Sequence, residues 1–285
     1  TAEEQAAVFV APVTGIPDTF VRGMDASSVL AEERSGVKFY NADGAEQDVL
    51  MTLAQAGVNC IRLRVWNDPF DVDGNGYGGG NVDINAAVTM GKYATKAGMK
   101  VLIDFHYSDF WADPGKQQCP KAWEGMSIDE KEAALYSYTA DCLKKLLDAG
   151  VDVGMVQLGN ETNGRMCGES DWDSICRLFS SGSKAVRGAD SSILIAVHFT
   201  NPEKSSSYKT YAKQLSSHGV DYDVFASSWY PYWHGSLTNL TSVLKSVSDT
   251  YGKKVMVMET SYAYTSEDSD FSGNTISDGG GIFKA

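Results

Sequence analysis

Two acidic residues stand where an apolar run breaks off. In Val156-Gln157-Leu158-Gly159-Asn160-Glu161-Thr162-Asn163-Gly164 the run ends in a side-chain amide and a carboxylate, and loop residues follow. In Val255-Met256-Val257-Met258-Glu259-Thr260-Ser261-Tyr262 the same ending recurs far down the chain. A buried strand that ends in this way delivers an acid to the rim of a parallel sheet. Two carboxyls that face each other there form the pair that breaks an acetal. One protonates the leaving oxygen; the other, ionised, attacks the anomeric carbon or activates water. Glu161 and Glu259 are therefore read as opposed across a sugar-binding cleft, rather than as rim glutamates in surface ion pairs.

Such a pair needs a scaffold that repeats, and the chain alternates strand and helix throughout. Strands are expected at 20–25, with Asp25 at the end, at 58–66, 99–105, the run ending at Leu158, 193–198, 224–230 and 255–258. Helical spacing of apolar positions covers 45–56, 82–97, 128–149, 172–186, 208–218 and 237–251. Gly57, Gly98, Gly150, Gly219 and Gly252 each follow a helix, where glycine supplies the turn into the next strand. Short apolar strands imply a parallel sheet covered on both faces, either an open doubly wound sheet or a (β/α)8 barrel. Chemically capable residues end every strand: Asp25, Arg64, His106, Glu161, His198, Tyr230 and Glu259. A rim drawn from all strands is a barrel's, whereas an open sheet would gather them at one crevice. No Gly-x-Gly-x-x-Gly follows the first strand. The expected fold is thus an α/β (β/α)8 TIM barrel. Only seven strands can be read, and the polar, Gly-rich stretch 264–285 holds no eighth. The expectation is a barrel domain over 19–285, preceded by a surface leader over 1–18, in a chain that continues past Ala285 or closes irregularly.

Composition narrows the partners. The 285 residues are 43% apolar and 21% charged, which excludes disorder along the whole chain. No apolar run approaches the ~20 residues that span a bilayer, so no membrane partner is expected. A net charge of -13 repels phosphate backbones and argues against nucleic acid. Fourteen Tyr and six Trp offer faces on which sugar rings stack, although most aromatics fill cores. The chain begins at Thr1, read as a mature, processed or excised sequence that is secreted or held at the cell surface and acts as a monomer. Cys60 is expected as a buried thiol, Cys167 with Cys176 as a disulfide, and Cys119 with Cys142 as an alternative pair. Nothing in their spacing argues for zinc.

Several segments together resemble glycoside hydrolase family 53, the arabinogalactan endo-β-1,4-galactanases, a family of barrel enzymes. They are RGMDASSVLAEERSGVKFYN from Arg22, GVNCIRLRVWNDP from Gly57, IDFHYSDFWADPGKQ from Ile103, LGNETNG from Leu158, SSWYPYWHG from Ser227 and METSYAYT from Met258. They cover nearly the whole chain, and DFHYSDFWADP is specific to the family. The resemblance implies Glu161 as acid/base and Glu259 as nucleophile, with net retention, and matches Arg62 to the arginine that pairs with the nucleophile. Physics supports the same division, because the acid must hold its proton near neutrality while the nucleophile stays ionised beside a cation.

The remaining candidates follow from position. Asn160 is expected to bind the hydroxyl next to the scissile bond, a contact that strengthens as the ring flattens. His106 and His198 are expected to bind sugar hydroxyls or to orient the acid, unless they are satisfied interior histidines. Tyr230 is expected to hold an oxygen of the nucleophile. Trp66, Trp111, Trp229 and Trp233 are candidate stacking platforms, Asp109 and Asp113 hydroxyl binders or loop braces, and Asp25 a structural residue. In Glu267-Asp268-Ser269-Asp270-Phe271-Ser272-Gly273-Asn274, oxygen-bearing side chains recur at every second position, as a calcium loop requires. The resembled family implies Ca²⁺ there, held by Asp268, Asp270, Ser272 and Asn274, with Ser272 standing where bacterial relatives have His. Asp71-Val72-Asp73-Gly74-Asn75-Gly76 lacks the late Glu of an EF-hand and is read as a Gly-rich loop. The expected activity is retaining endo-hydrolysis of the β-1,4-galactan side chains of pectin. The alternatives are a mannanase, xylanase or cellulase of the same clan, or a truncated barrel that binds galactan without cleaving it.

Overall fold

The structure, a computed structural model, describes residues 13–262. Seven strands lie in it: β1 (Gly23–Asp25), β2 (Cys60–Val65), β3 (Lys100–Phe105), β4 (Val153–Leu158), β5 (Leu194–Phe199), β6 (Val224–Ser228) and β7 (Lys254–Glu259). They pair side by side in chain order, every pair parallel. The helices are α1 (Val29–Arg34), α2 (Val49–Gln55), α3 (Ile84–Lys96), α4 (Ile128–Asp148), α5 (Trp172–Ala189), α6 (Ser205–Ser217) and α7 (Leu237–Tyr251). This is the expected (β/α) barrel with seven staves among the described residues. The stretch 264–285, in which no eighth strand was read, lies outside them, as do residues 1–12 of the expected leader.

Alternation along the strands builds two cores. Ile61, Leu63, Val101, Ile103, Val156, Leu158, Ile195, Val197 and Phe225 face outward into the layer beneath the helices. Cys60, Leu102, Met155, Ala196 and Ala226 face inward and plug the barrel, with Met256 and Met258 packed against them. Burying both faces explains why these strands read as unbroken apolar runs. The helices start where the sequence supplies a cap. Asp48, Asp83, Asp171 and Ser236 each accept a backbone N–H of the following turn, and Ser127 with Glu130 forms a reciprocal capping box on α4. At Gly252, φ is 65°, the left-handed hand-off from α7 to β7.

Two expectations are corrected. The first strand begins at Gly23, not residue 20, because the Asn59 side chain ties residues 20–22: its oxygen accepts the Arg22 N–H and its amide donates to the Phe20 carbonyl. The Cys167–Cys176 disulfide is not formed, nor is Cys119–Cys142; all five cysteines are free thiols. Cys176 lies on α5 with its sulfur directed at the Gln214 carbonyl of α6, while Cys167 lies in the loop between β4 and α5. Cys60 is a buried thiol, as expected, and burial pushes its pKa up to about 11.

Candidate active site

Three strands place the charge at the centre. β2 turns Arg62 inward, β3 turns Asp104 inward and β4 turns Gln157 inward, each one alternation above the apolar plug. Arg62 sits at their junction. Its Nε donates to Gln157 Oε1 at 3.2 Å, and its terminal nitrogens reach Asp25 Oδ2 at 3.1 Å, Asp104 Oδ2 at 2.8 Å, Asn160 Oδ1 at 2.9 Å and Glu259 Oε1 at 2.9 Å. Burial works against the guanidinium's charge, but Asp104, Glu259 and Asp25 outweigh it and hold the proton more firmly than usual. Asp104 is likewise pressed upward by burial and brought below its ordinary value by Arg62 and His106.

Glu259 reaches this centre through a break in register. Ser227 pairs with Val257, but Ser228 pairs with Glu259, so one residue of β7 is skipped. Met256 and Met258 face inward, and strict alternation would send Glu259 out; the irregularity re-aims it. Its Oε1 meets Arg62, and its Oε2 accepts the Tyr230 hydroxyl at 2.8 Å. Burial favours its neutral form, yet Arg62 and the Tyr230 hydroxyl prevail, and the carboxyl titrates below the ordinary value.

Glu161 arrives differently. β4 ends at Leu158, and the chain turns through Gly159 at φ 77° and Glu161 at φ 46°. A non-glycine residue in the left-handed region stores strain of about 1–3 kcal/mol and persists only where neighbours impose it. Here the Gly159 N–H donates to the Phe105 carbonyl at 2.9 Å and the Thr162 N–H to the His198 carbonyl at 3.0 Å. α5 can press close behind this turn because Gly182 has no side chain; a Cβ there would lie 2.9 Å from Leu158 Cδ2. Glu161 Oε1 accepts the Ser228 hydroxyl at 2.6 Å. Burial, then the charge of Glu259, push its pKa up to about 7 against the pull of the Ser228 and Thr200 hydroxyls. Both carboxyls line one cleft of about 560 Å³, together with Arg64, His106, Trp111, Asp113, Asn160 and Tyr230.

The other candidates divide between the cleft and its support. Trp111 is 43% exposed at the cleft wall, and Trp233 is 53% exposed beside Tyr230. Trp66 is corrected: at 0% exposure it lies behind Trp111 and is no sugar platform. Its indole N–H and the Ala112 N–H both donate to His106 Nδ1, so the other nitrogen, Nε2, carries the hydrogen and donates to Asp104. His106 is therefore engaged within the protein at both nitrogens. His198 is also corrected as a direct hydroxyl binder: it is 0% exposed, beneath Glu161, with both nitrogens engaged. Asn160 lines the cleft with its amide donating to the Ala112 carbonyl, which ties it to the loop after β3. Asp113 lines the cleft and accepts the Gly115 N–H, and Asp109 braces its loop by accepting from Asp68 and Lys121. The Asp71 carboxylate is satisfied within its own turn by Asp73 and Asn75, as a Gly-rich loop. Asp268, Asp270, Ser272 and Asn274, the expected calcium ligands, lie outside the described residues.

Residues that sequence reasoning did not single out complete the site. Gln157, Asp104, Ser228 and Gln117 are all buried, and Gln117 donates to the Asn160 carbonyl at 2.8 Å. For Gln157, Asp104 and Ser228 a signal existed, a polar residue interrupting an apolar strand at an inward position. Gln117 sits in a loop and carried no such signal. Arg64 is stacked on Trp111, its guanidinium carbon 4.0 Å from the ring centre.

The chain is similar to known proteins along most of its length. The sequence model of glycosyl hydrolase family 53 matches residues 21–282. An endo-beta-1,4-galactanase of Bacillus subtilis (strain 168) is 60% identical over 94% of this chain, which spans 62% of that protein's length. An arabinogalactan endo-beta-1,4-galactanase of Thermothelomyces thermophilus is 36% identical over 85% of this chain and 74% of its own. Among solved structures, the GH53 catalytic domain of Ignisphaera aggregans matches with a TM-score of 0.91 at 40% identity, over 97% of this chain and 77% of that one. A Cellvibrio japonicus xylanase matches with a TM-score of 0.54 at 16% identity, over 84% of this chain and 50% of that one, a likeness of fold alone.

Proposed function

The chain belongs to glycosyl hydrolase family 53, and from that premise we propose that it is a retaining endo-β-1,4-galactanase acting on the galactan side chains of pectin. The observation that carries the reading is that two carboxyls lining one cleft are shifted in opposite directions, Glu161 raised to about 7 and Glu259 lowered. Glu161 gives its proton to the glycosidic oxygen as Glu259 attacks the anomeric carbon; the C–O bond breaks and a glycosyl-enzyme ester forms. Glu161, now ionised, takes a proton from water, whose oxygen attacks the same carbon and frees Glu259. Arg62 and Tyr230 keep the nucleophile ionised and aimed, and Trp111 and Trp233 offer stacking faces along the cleft. The endo-galactanase names of the relatives favour galactan over the mannan, xylan and cellulose alternatives. A polymer of this kind does not cross a membrane, which favours action outside the cell. Among the described residues, no helix is long and apolar enough to cross a membrane.

The test is hydrolysis of a panel of polysaccharides, with the anomeric form of the first product followed by NMR. Galactan is expected to be cleaved internally with the β-anomer appearing first. Glu161→Gln and Glu259→Gln are each expected to lower the rate by about 10³-fold or more while the protein stays folded. Substantial activity in either variant, or cleavage of another glycan in preference, would overturn the assignment.

A further inference from the structure

Beneath Glu161 lies a row of fully buried polar side chains that the double-displacement scheme does not use. Arg62 Nε donates to Gln157 Oε1 at 3.2 Å, which fixes the orientation of the amide. The Gln157 amide nitrogen then lies 3.0 Å from His198 Nδ1, and the Glu161 backbone N–H points at the same nitrogen from 3.4 Å. Asn160 Oδ1, 3.1 Å from Nδ1, already accepts from Arg62, which leaves the two hydrogens of the Gln157 amide for the Gly159 carbonyl at 3.0 Å and for Nδ1. With two donors converging on it, Nδ1 holds the lone pair and Nε2 the hydrogen. Nε2 is 2.9 Å from Ser228 Oγ, and Ser228 Oγ is 2.6 Å from Glu161 Oε1.

We propose that Gln157, His198 and Ser228 form a hydrogen-bond chain of fixed polarity, set by Arg62, that commits Oε1 of Glu161 to accepting and so places the transferable proton on Oε2. The inference rests on the glycosidase reading above and deepens it. A serine hydroxyl that receives from His198 Nε2–H has its own hydrogen free only for Glu161, so Oε1 is occupied whether the carboxyl is neutral or ionised. The proton that leaves in the first half-reaction and returns from water in the second therefore travels through Oε2, and the chain itself conducts none. Arg62 thereby acts on both carboxyls, by contact on Glu259 and through four hydrogen bonds relayed by three side chains on Glu161. His198 must stay neutral for this to hold, and burial brings its pKa down to about 4. The charged or titratable groups around the acid are Glu259, Arg62, His198, Tyr208 and Tyr230, with the Ser228 and Thr200 hydroxyls beside them. Gln157, His198 and Ser228 are positioning residues, not catalytic ones.

The experiment compares galactan, whose leaving group needs the proton, with a dinitrophenyl β-galactobioside, whose leaving group does not. Ser228→Ala is expected to lower kcat on galactan by about 10²-fold, within the range for lost general-acid help, while formation of the glycosyl-enzyme from the dinitrophenyl substrate changes less than about threefold. Ser228→Thr, which keeps the hydroxyl, restores galactan cleavage to within about fivefold. Equal losses on both substrates, or none on galactan, overturn the proposal. Nitrogen NMR of the unmodified protein decides independently of any variant. A bare Nδ1 with a protonated Nε2 on His198 is expected, and the opposite tautomer or an imidazolium at the working pH overturns it. A wild-type protein that turns over neither substrate removes the glycosidase reading, and this inference with it.

Discussion

Glu161 and Glu259 are the same residue type at the ends of two strands, and their difference comes from what touches them. Glu259 must be ionised to attack, and Arg62 holds its pKa low; activity should therefore be lost as pH falls through a range below the ordinary carboxylate value. Glu161 must be protonated to act, so activity should also be lost as pH rises through about 7. A bell-shaped kcat/KM profile with its alkaline limb near that value checks both. The same shift bears on stability. Glu161 has an ordinary value of 4.5 and a folded value of about 7, so below 4.5 it is protonated folded or unfolded, and as pH rises through about 7 the folded state comes to bear a buried charge. Glu161→Gln is thus expected to raise stability above that pH, by at most about 3 kcal/mol, and to leave it unchanged in acid, as denaturant titrations at the two pH values would show. The two tryptophans separate in a different way. Trp66→Ala removes a fully buried ring and should cost about 3–5 kcal/mol, whereas Trp111→Ala should raise KM for galactan with little loss of stability. The end of its strand at the rim predicts a platform at Trp66; that a second indole covers it depends on the loop after β3, which no local pattern reveals.

At the scale of elements, the helices could be read from their stripes and caps, and the strands from their apolar runs. α1 could not, because its six residues are too short for a periodic stripe. The caps act locally. Ser127→Ala, which breaks the capping box on α4, should cost about 1 kcal/mol in thermal or chemical denaturation and leave kinetics unchanged, since no residue of α4 lines the cleft. The strand ends act on the site itself. The skipped residue on β7 turns Glu259 inward, and the left-handed turn after β4 lifts Glu161 over the buried Ser228–His198 pair. Neither departure from regular geometry is a matter of composition. Each is imposed by the neighbouring strand, Ser228 on one side and His198 on the other.

For the molecule as a whole, the order β1 to β7 leaves β1 paired on one side only, with β2, and β7 only with β6, among the described residues. All three residues of β1 are exposed, whereas β2 to β6 are almost wholly buried. Hydrogen exchange is expected to be slow throughout β2 to β6, each paired on both sides, as mass spectrometry on the native protein would show. Fast exchange in any of these five strands would contradict this. The cleft opens at the C-terminal ends of the same strands, with Asp25 of β1 and Glu259 of β7 both joined to Arg62, so the site itself spans the barrel between the two outer strands.

By itself the sequence determined the alternation of strand and helix, the parallel sheet, and the two glutamates at strand ends, because each depends on residues close together along the chain: an apolar run, a glycine stop, a carboxylate after an amide. The family resemblance assigned the acid to Glu161, but only the tertiary structure supplied the physical cause, since which glutamate holds its proton turns on burial and on a guanidinium supplied by a different strand. Only the fold, too, decided that His198 lies under the acid and not on the cleft surface, that Trp66 is covered, and that Cys167 and Cys176 remain apart. Those outcomes depend on distances between segments far apart in the chain, and local pattern carries no information about them.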